Sequence, residues 1–152
     1  VLGYLQAKGV RDAEEVTSEV FLAVLQRLPH VTGGANGLRR LVFTIAHARM
    51  VDHYRDRGRT GEPSEYQPHR DVRSEPPAED VALGRMSTPD VLDALALLPD
   101  DQREVIALRF VADLSLEQVA AIIGRSEGAV KQLQRRGLTT VREAIRSRRV
   151  TP

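Results

Sequence analysis

The stretch Leu114-Ser-Leu-Glu-Gln-Val-Ala-Ala-Ile-Ile-Gly-Arg-Ser-Glu-Gly-Ala-Val-Lys-Gln-Leu-Gln-Arg-Arg-Gly-Leu138 decides the fold, because it predicts two helices joined at a glycine. Ser115 is placed to cap the first helix, with Gln118 three residues on as its capping-box partner. Gly124 supplies the left-handed residue that ends this helix, and Ser126 is placed to cap the next one. These local signals agree on a short helix, a tight turn and a second helix.

The second helix of this stretch has an apolar side and a basic side. The apolar stripe consists of Val130, Leu133, Leu138 and Val141, with Gly137 as a small residue where helices can approach closely. The opposite side consists of Gly128, Lys131, Gln132, Arg135 and Arg136. This arrangement is typical of a DNA-binding helix-turn-helix. The alternative is an ordinary helical hairpin whose solvated side is basic.

Composition limits the classes of protein to which the chain can belong. The 152 residues suffice for one domain or two small ones, and a 4% aromatic content without Trp favours aliphatic, helical cores. The absence of Cys excludes disulfides, zinc–thiolate sites and cysteine nucleophiles. No apolar run approaches the length of a membrane span, and the first residues lack the form of a signal peptide, so a cytoplasmic location is expected. The sequence lacks an initial Met and opens inside a helical pattern, which indicates a fragment.

Charge and composition divide the chain into three parts. Residues 1–60 have nine basic and six acidic residues, residues 61–102 have three and ten, and residues 103–152 have ten and five. The two basic parts suggest two surfaces for a polyanion. Prolines, glycines and charges without apolar periodicity indicate a flexible linker at 58–88, with a short helical piece at 79–86. We therefore predict an all-α protein with two small helical domains, at 1–57 and 89–152, joined by this linker.

The first domain has two strong helical patterns. Val1–Gly9 is the expected end of an earlier helix, and Asp12 is a candidate cap for a helix over Ala13–Leu28. The core stripe of that helix is predicted to be Val16, Val20, Phe21, Val24 and Leu28. Pro29–Gly37 is predicted to be a loop, and Leu38–Arg57 a second helix. Its predicted core contains Leu41 and Ile45, followed by one residue of each of the pairs 48/49, 51/52 and 54/55.

Two motifs carry a resemblance to a known family. Residues 12–22 and 41–55 resemble the second region of sigma-70-type factors, most closely the extracytoplasmic-function (ECF) group, although the beginning of that region is missing. Residues 98–110, together with the helix-turn-helix, resemble the fourth region. Two motifs in this order are far more specific than a helix-turn-helix alone. The resemblance implies a transcription initiation factor that binds core RNA polymerase and directs it to promoters by recognising their −10 and −35 elements.

The family pattern implies three groups of contact residues. Those facing the clamp helices of the polymerase β′ subunit are Glu15, Ser18 and Glu19, and the second domain is expected to meet the β flap. A second group would face the opened −10 strand, whose flipped base would enter the Pro29–Gly37 loop. This group consists of His30, Asn36, Arg49, Asp52, Arg55 and Arg57. Those facing the −35 duplex are Arg125, Ser126, Lys131, Gln132, Arg135 and Arg136. Arg103 and Arg109 are further candidates for phosphate contacts. Ser18, Ala48 and Leu133 depart from residues that are frequent in the family.

Two other classes of function compete with this one. The only candidates for catalysis are His30, His47, His53 and His69. His47, Asp52 and His53 are spaced by five and six residues, so they do not share a helix face as metal ligands would. We therefore predict no enzyme, no metal and no cofactor. A stand-alone helix-turn-helix regulator is the better alternative, and it would bind specific duplex DNA without polymerase. The resemblance also implies an anti-sigma factor as a partner besides the polymerase and promoter DNA.

Overall fold

The computed structural model describes residues 1–58 and 88–150, which we call the N-terminal half and the C-terminal half. Both ranges are helical and contain no strand, so the all-α class is confirmed for the described part of the chain. The expected linker lies outside these residues except at its two ends. The expected helical piece at 79–86 lies outside them entirely.

The N-terminal half consists of three helices and one short turn. Helix α1 covers Leu2–Ala7, and α2 covers Ala13–Arg27. A 3₁₀ turn at Leu28–His30 leads to α3, which covers Gly34–Gly58. Asp12 stands at the N-cap of α2 as predicted, but its side chain makes no capping hydrogen bond.

The predicted core of α2 is only partly correct. Val16, Val20 and Val24 are buried, whereas Phe21 and Leu28 are 48% and 46% exposed. The covered stripe repeats every four residues, because α2 packs against α3 along one narrow row. The assignment of Phe21 and Leu28 to the core was therefore wrong, and it left an exposed apolar surface unrecognised.

Helix α3 begins four residues earlier than predicted, and the expected loop is correspondingly short. Gly33 and Gly34 have φ of +88° and +61°, so they turn the chain into the helix where other residues would be strained. The amide of Gly37 donates to the Gly33 carbonyl, and a Cβ at Gly37 would lie 1.8 Å from the Thr32 carbonyl oxygen. Glycines that suggested a loop thus form the tight first turn of a helix.

The core side of α3 also differs from the predicted one. Its buried residues are Phe43, Ile45, Ala46 and Met50. Of these only Ile45 was predicted. Ala48 and Arg49 were offered as alternatives for one core position, and both are exposed. Leu41 and Val51 are half-buried.

The C-terminal half consists of four helices. Helix α4 covers Thr88–Ala96, and α5 covers Asp100–Ile106 and continues into a π-helical turn at Ala107–Val111. Helices α6, Leu116–Ile123, and α7, Glu127–Val150, follow. The small-residue contact predicted for α7 is confirmed, because a Cβ at Gly137 would lie 2.7 Å from Ile106 Cγ1 on α5.

The two halves pack against each other, which the sequence did not predict. Helix α1 contacts α4 and the π-helical turn, and α3 contacts α6. Buried side chains of both halves form one contiguous hydrophobic cluster. The helix-turn-helix is therefore held against the N-terminal half.

Candidate nucleic-acid interface

Helices α6 and α7 meet in the turn that the sequence predicted. Ser115 Oγ accepts from the Gln118 amide at 3.1 Å, and Gln118 Oε1 accepts from the Ser115 amide at 3.0 Å, which completes the capping box. Gly124 has φ of +69°, which allows the chain to leave α6 in the left-handed conformation. Ser126 Oγ accepts from the Ala129 amide at 3.1 Å and so caps α7. These bonds fix the angle at which α7 leaves the turn.

The fixed angle turns one side of α7 outward. Val130, Leu133 and Val141 are buried, whereas Lys131 is exposed. Gln132, Arg135 and Arg136, which the helical period places on the same side, are half-buried. Lys and Arg can donate to guanine O6 and N7, and Gln can make paired hydrogen bonds with adenine. We call this surface, formed by Gly128, Lys131, Gln132 and Arg135, the recognition face.

Gly128 gives the recognition face an open patch of backbone. A Cβ there would have a single neighbour, Ser126 Oγ at 4.0 Å, so the fold itself does not require glycine at this position. Glycine inside a helix is less stable than alanine by about 1 kcal/mol. No steric contact within the chain explains the glycine at this position, which lies one turn before Lys131. Because it has no side chain, another molecule can approach the backbone closely there.

Two of the arginines considered for phosphate contacts have structural roles instead. Arg103 donates to the carbonyls of Leu95, Ala96 and Leu98 and so closes the C-terminal end of α4. Arg109 donates to the Leu114 carbonyl at 2.5 Å and to Gln134 Oε1 at 2.8 Å. These bonds connect the start of α6 to the middle of α7. Arg109 therefore positions the recognition helix rather than facing solvent.

The residues expected at the −10 strand lie at two ends of α3. His30 and Asn36 are exposed near its start, and Arg49, Asp52 and Arg55 are exposed in its later turns. The side chain of Arg57 lies outside the described residues. Thirteen residues separate Asn36 from Arg49, or about 20 Å at 1.5 Å per residue. The two groups are therefore not brought together around one base, although an extended strand could touch both.

An exposed row connects these two groups. Residues at four-residue steps along α3 are all exposed, namely Asn36, Arg40, Thr44, Ala48 and Asp52. Such a row winds slowly around a helix. Arg40 is the cation of this row, and although it lies within the predicted helix over Leu38–Arg57 it was not among the predicted contact residues. Arg39 and Arg40 side by side were the signal that could have identified it.

A second candidate surface lies on α2. Glu15, Ser18 and Glu19 are exposed, and Ser18 Oγ donates to the Glu14 carbonyl within the helix. The same side continues into Leu22 and Leu25, which are 63% and 62% exposed. Large apolar side chains grouped at helical spacing on a surface mark a site for another protein. We call Leu22 and Leu25, with the exposed Phe21 and Leu28, the apolar face of α2.

Sites of other chemistry were also sought. Within residues 1–58 and 88–150, no group of three or more His, Asp or Glu side chains could hold a metal ion. No helix in this described part is long and apolar enough to cross a membrane. His47, one of the candidates for catalysis, lies with Nδ1 2.6 Å from Glu104 Oε1 of the C-terminal half.

Comparison with known proteins identifies the family. Residues 1–60 match the model of sigma-70 region 2, and residues 94–143 match that of sigma-70 region 4. The chain is 32% identical over 145 residues to the ECF RNA polymerase sigma factor SigD of Mycobacterium tuberculosis, covering 95% of this chain and 68% of SigD. The protein belongs to the ECF sigma factors.

Two further comparisons show how much of this chain and of its relatives is matched. The ECF sigma factor BldN of Streptomyces coelicolor is 34% identical over 143 residues, which are 91% of this chain and 52% of BldN. The chain thus spans about half the length of that relative. Among solved structures, the sigma factor RpoE from Bartonella quintana, in complex with the anti-sigma factor NepR, has a TM-score of 0.69 at 24% identity. The match covers 99% of this chain and 89% of RpoE, and it shows that the two chains share a fold.

Proposed function

We propose that the protein is a transcription initiation factor that binds core RNA polymerase and directs it to promoters. The observation that supports this most directly is the presence of both sigma-70 regions in one chain, in family order. A stand-alone helix-turn-helix regulator needs no sigma region 2, so the second candidate of the sequence analysis is not supported. The chain itself would carry out no chemistry and act in the cytoplasm, where the polymerase is.

The C-terminal half would read the −35 duplex. The major groove of B-DNA admits one α-helix, and the residues near the start of that helix contact the bases. The recognition face begins at the second residue of α7, and its Lys131, Gln132 and Arg135 offer donors to base edges or phosphates. Arg125 and Ser126 stand in the turn beside the expected path of the DNA backbone, where Ser126 also caps α7. Arg136 lies at the rim of this surface.

The N-terminal half would hold the opened −10 strand along α3. His30 lies in the 3₁₀ turn before α3 and Asn36 in the first turn of α3, where small residues leave the backbone accessible to a flipped base. Arg40, Arg49 and Arg55 would contact phosphates farther along the helix, which positions a strand without reading its sequence. We include Arg40 because its exposure places it between the two groups.

Polymerase would bind the apolar face of α2. Glu15 and Glu19 lie on α2 before this apolar face, and both are exposed, although Glu19 Oε2 lies 4.0 Å from Arg49 Nη1. Leu22 and Leu25 supply the apolar area that usually forms the centre of a protein interface. The partner expected from the family is the pair of β′ clamp helices, with the β flap meeting the C-terminal half. The partner of RpoE in its solved complex is an anti-sigma factor, and we infer a partner of that class for this chain.

The proposal is tested by changing the apolar face while leaving the helices intact. Leu22→Glu/Leu25→Glu should abolish co-elution with core RNA polymerase in size-exclusion chromatography, because the charges would be buried in the interface. Leu97→Glu is the matched control, since Leu97 is 58% exposed on the other half of the chain and should retain co-elution. Far-UV circular dichroism should be unchanged in both variants. Failure of the unmodified chain to bind core polymerase, together with specific duplex binding on its own, would contradict the proposal.

A further inference from the structure

Helix α7 carries an acidic residue directly beside its proposed DNA-binding surface. Its two acidic residues are Glu127 and Glu143, among seven basic ones. Glu127 is the first residue of the helix, immediately before the recognition face, and it is exposed. Glu143 is exposed sixteen residues farther along, or about 24 Å away at 1.5 Å per residue. A carboxylate that faces the phosphates of DNA is repelled by them unless it has a partner there.

Folding of α7 explains Glu127 only in part. A negative charge in the first turn interacts favourably with the helix dipole. The capping hydrogen bond, however, is made by a neutral group, because Ser126 Oγ accepts from the Ala129 amide at 3.1 Å. Lys131 stands four residues on, at a spacing where opposite charges commonly pair. Within the described part of the chain, the Glu127 carboxylate has neither a hydrogen bond nor an ion pair. This carboxylate is therefore available to another molecule.

Glu127 also occupies a position at which a helix-turn-helix contacts bases. The N-terminal residues of the second helix of this motif reach the base edges in the major groove. Gly128 leaves the first turn of α7 without a covering side chain, since a Cβ there would meet only Ser126 Oγ, at 4.0 Å. The helical period places Glu127 and Lys131 one turn apart and within about 40° of each other around the helix. Both are exposed, so they can approach the same or neighbouring base pairs.

The chemistry of a carboxylate selects among the four bases. An ionised carboxylate accepts hydrogen bonds and cannot donate one. In the major groove guanine presents two acceptors, thymine an acceptor and a methyl group, and adenine a donor beside an acceptor. Cytosine presents the N4 amine, which is a donor alone. A carboxylate is therefore attracted by cytosine and repelled by guanine and thymine. The guanine of a C·G pair in turn offers the acceptors that an ammonium group needs.

We propose that Glu127 is a specificity-determining residue of the −35 contact. Its carboxylate accepts from the N4 amine of a cytosine, while Lys131 donates to N7 and O6 of a guanine in the same or a neighbouring base pair. This inference rests on the proposed function, because it requires that α7 enter the major groove. Glu127 then selects the sequence by repulsion from the wrong bases as well as by attraction to the right one.

Selection from a random pool tests this base preference. Core polymerase with the chain is mixed with promoter duplexes whose −35 and −10 segments are randomised at a fixed spacing, and the bound duplexes are sequenced. The unmodified chain should select a cytosine, on one strand or the other, at a −35 position. In Glu127→Ala the enrichment of that cytosine over thymine should fall at least about fivefold, as expected for the loss of one good base contact. The other −35 positions should keep their preferences.

Two further variants separate base reading from charge and folding. Glu143→Ala removes the same charge from the same helix far from the recognition face, and it should leave every −35 preference unchanged. Glu127→Gln keeps an acceptor and adds a donor, so it should select adenine beside cytosine, because Gln pairs with N6 and N7 of adenine. A loss spread evenly over all −35 positions in Glu127→Ala would overturn the inference. So would a selected element without a cytosine that depends on Glu127.

Removal of a single amine gives a second measurement. In one selected duplex the cytosine is replaced by 2-pyrimidinone, a base that lacks the exocyclic amine. This replacement should weaken binding by polymerase with the unmodified chain about tenfold, and with Glu127→Ala less than about twofold, because the variant has no acceptor for the amine. Equal weakening in the two cases would overturn the inference. If polymerase with the unmodified chain selects no −35 sequence at all, the proposed function itself is overturned.

Discussion

At the scale of single residues, Gly128 allows folding and DNA binding to be separated. Its surroundings would accept a methyl group, and alanine is the better helix former, so Gly128→Ala should stabilise the protein by about 0.5–1 kcal/mol. The same methyl group would occupy the recognition face. We therefore expect −35-dependent transcription to fall while the midpoint of urea unfolding rises.

The control is Thr139→Ala on the same helix. Thr139 is exposed eleven residues farther along α7, or about 16 Å from Gly128, and its hydroxyl donates to the Arg135 carbonyl. This change should also raise stability slightly and leave transcription unchanged. If both variants are more stable and transcribe less, or if neither variant shows this combination, Gly128 is not part of the DNA contact.

Residue-scale features were predictable where they depend on neighbours within four positions. The capping box of Ser115 and Gln118, the left-handed Gly124 and the Ser126 cap were all predicted, because each is a local hydrogen-bonding pattern. The role of Arg109 was not, because its partners lie five and twenty-five residues away. An arginine near a helix-turn-helix suggests a DNA contact unless its intramolecular acceptors are known.

At the scale of helices, α7 approaches α5 closely at Gly137. A Cβ at Gly137 would lie 2.7 Å from Cγ1 and 3.2 Å from Cδ1 of Ile106, a buried side chain that cannot move away freely. Gly137→Ala should therefore destabilise the protein by about 1–3 kcal/mol in urea unfolding, although alanine favours helices. Ile106→Ala should rescue part of this loss, so that the double variant is less destabilised than the two single effects predict together. Strict additivity would mean that the two helices can move apart.

Helix boundaries and faces were predicted less well than helix existence. Helices α2, α3, α6 and α7 were expected, whereas α5 was not predicted as a helix; α3 begins at Gly34 because Gly33, Gly34 and Gly37 build its first turn instead of a loop. In α2, Phe21 was predicted to be a core residue because it is apolar, but its side chain is 48% exposed. Periodicity alone does not distinguish a face that is covered within the chain from one that awaits a partner. That is why the proposed polymerase surface was recognised only by its acidic end.

At the scale of the whole molecule, the packing of the halves could not be read from the sequence. The contacts that join them connect residues far apart in the sequence, such as Lys8 with Asp100, which are 92 positions apart, and no local pattern indicates such pairs. The net charges of the two basic parts suggested two separate surfaces for DNA. The structure shows that both halves also use individual charges to bind each other.

The contact between Lys8 Nζ and Asp100 Oδ1, 2.8 Å apart, predicts an asymmetry between these two charged partners. Asp100 is 75% exposed and can be hydrated without Lys8, whereas Lys8 is buried and cannot be hydrated without the halves separating. Lys8→Met should therefore change the free energy of urea unfolding by less than about 1 kcal/mol, since apolar replacement of a buried charge is often neutral or stabilising. Asp100→Asn should cost about 3 kcal/mol, as expected when a buried charge loses its partner.

The Asn variant should also lose cooperativity between the halves. Near-ultraviolet circular dichroism of the tyrosines reports on the surroundings of Tyr4, which is buried between the halves and donates to Glu104, and far-ultraviolet dichroism reports on all helices. In the unmodified chain and in Lys8→Met both signals should unfold together, as in a two-state transition. In Asp100→Asn the tyrosine signal should change at lower urea than the helical signal, because the halves separate before they unfold. Coincident transitions in Asp100→Asn, or equal destabilisation by the two substitutions, would show that apolar contacts hold the halves together and that the buried ammonium group does not contribute to their packing.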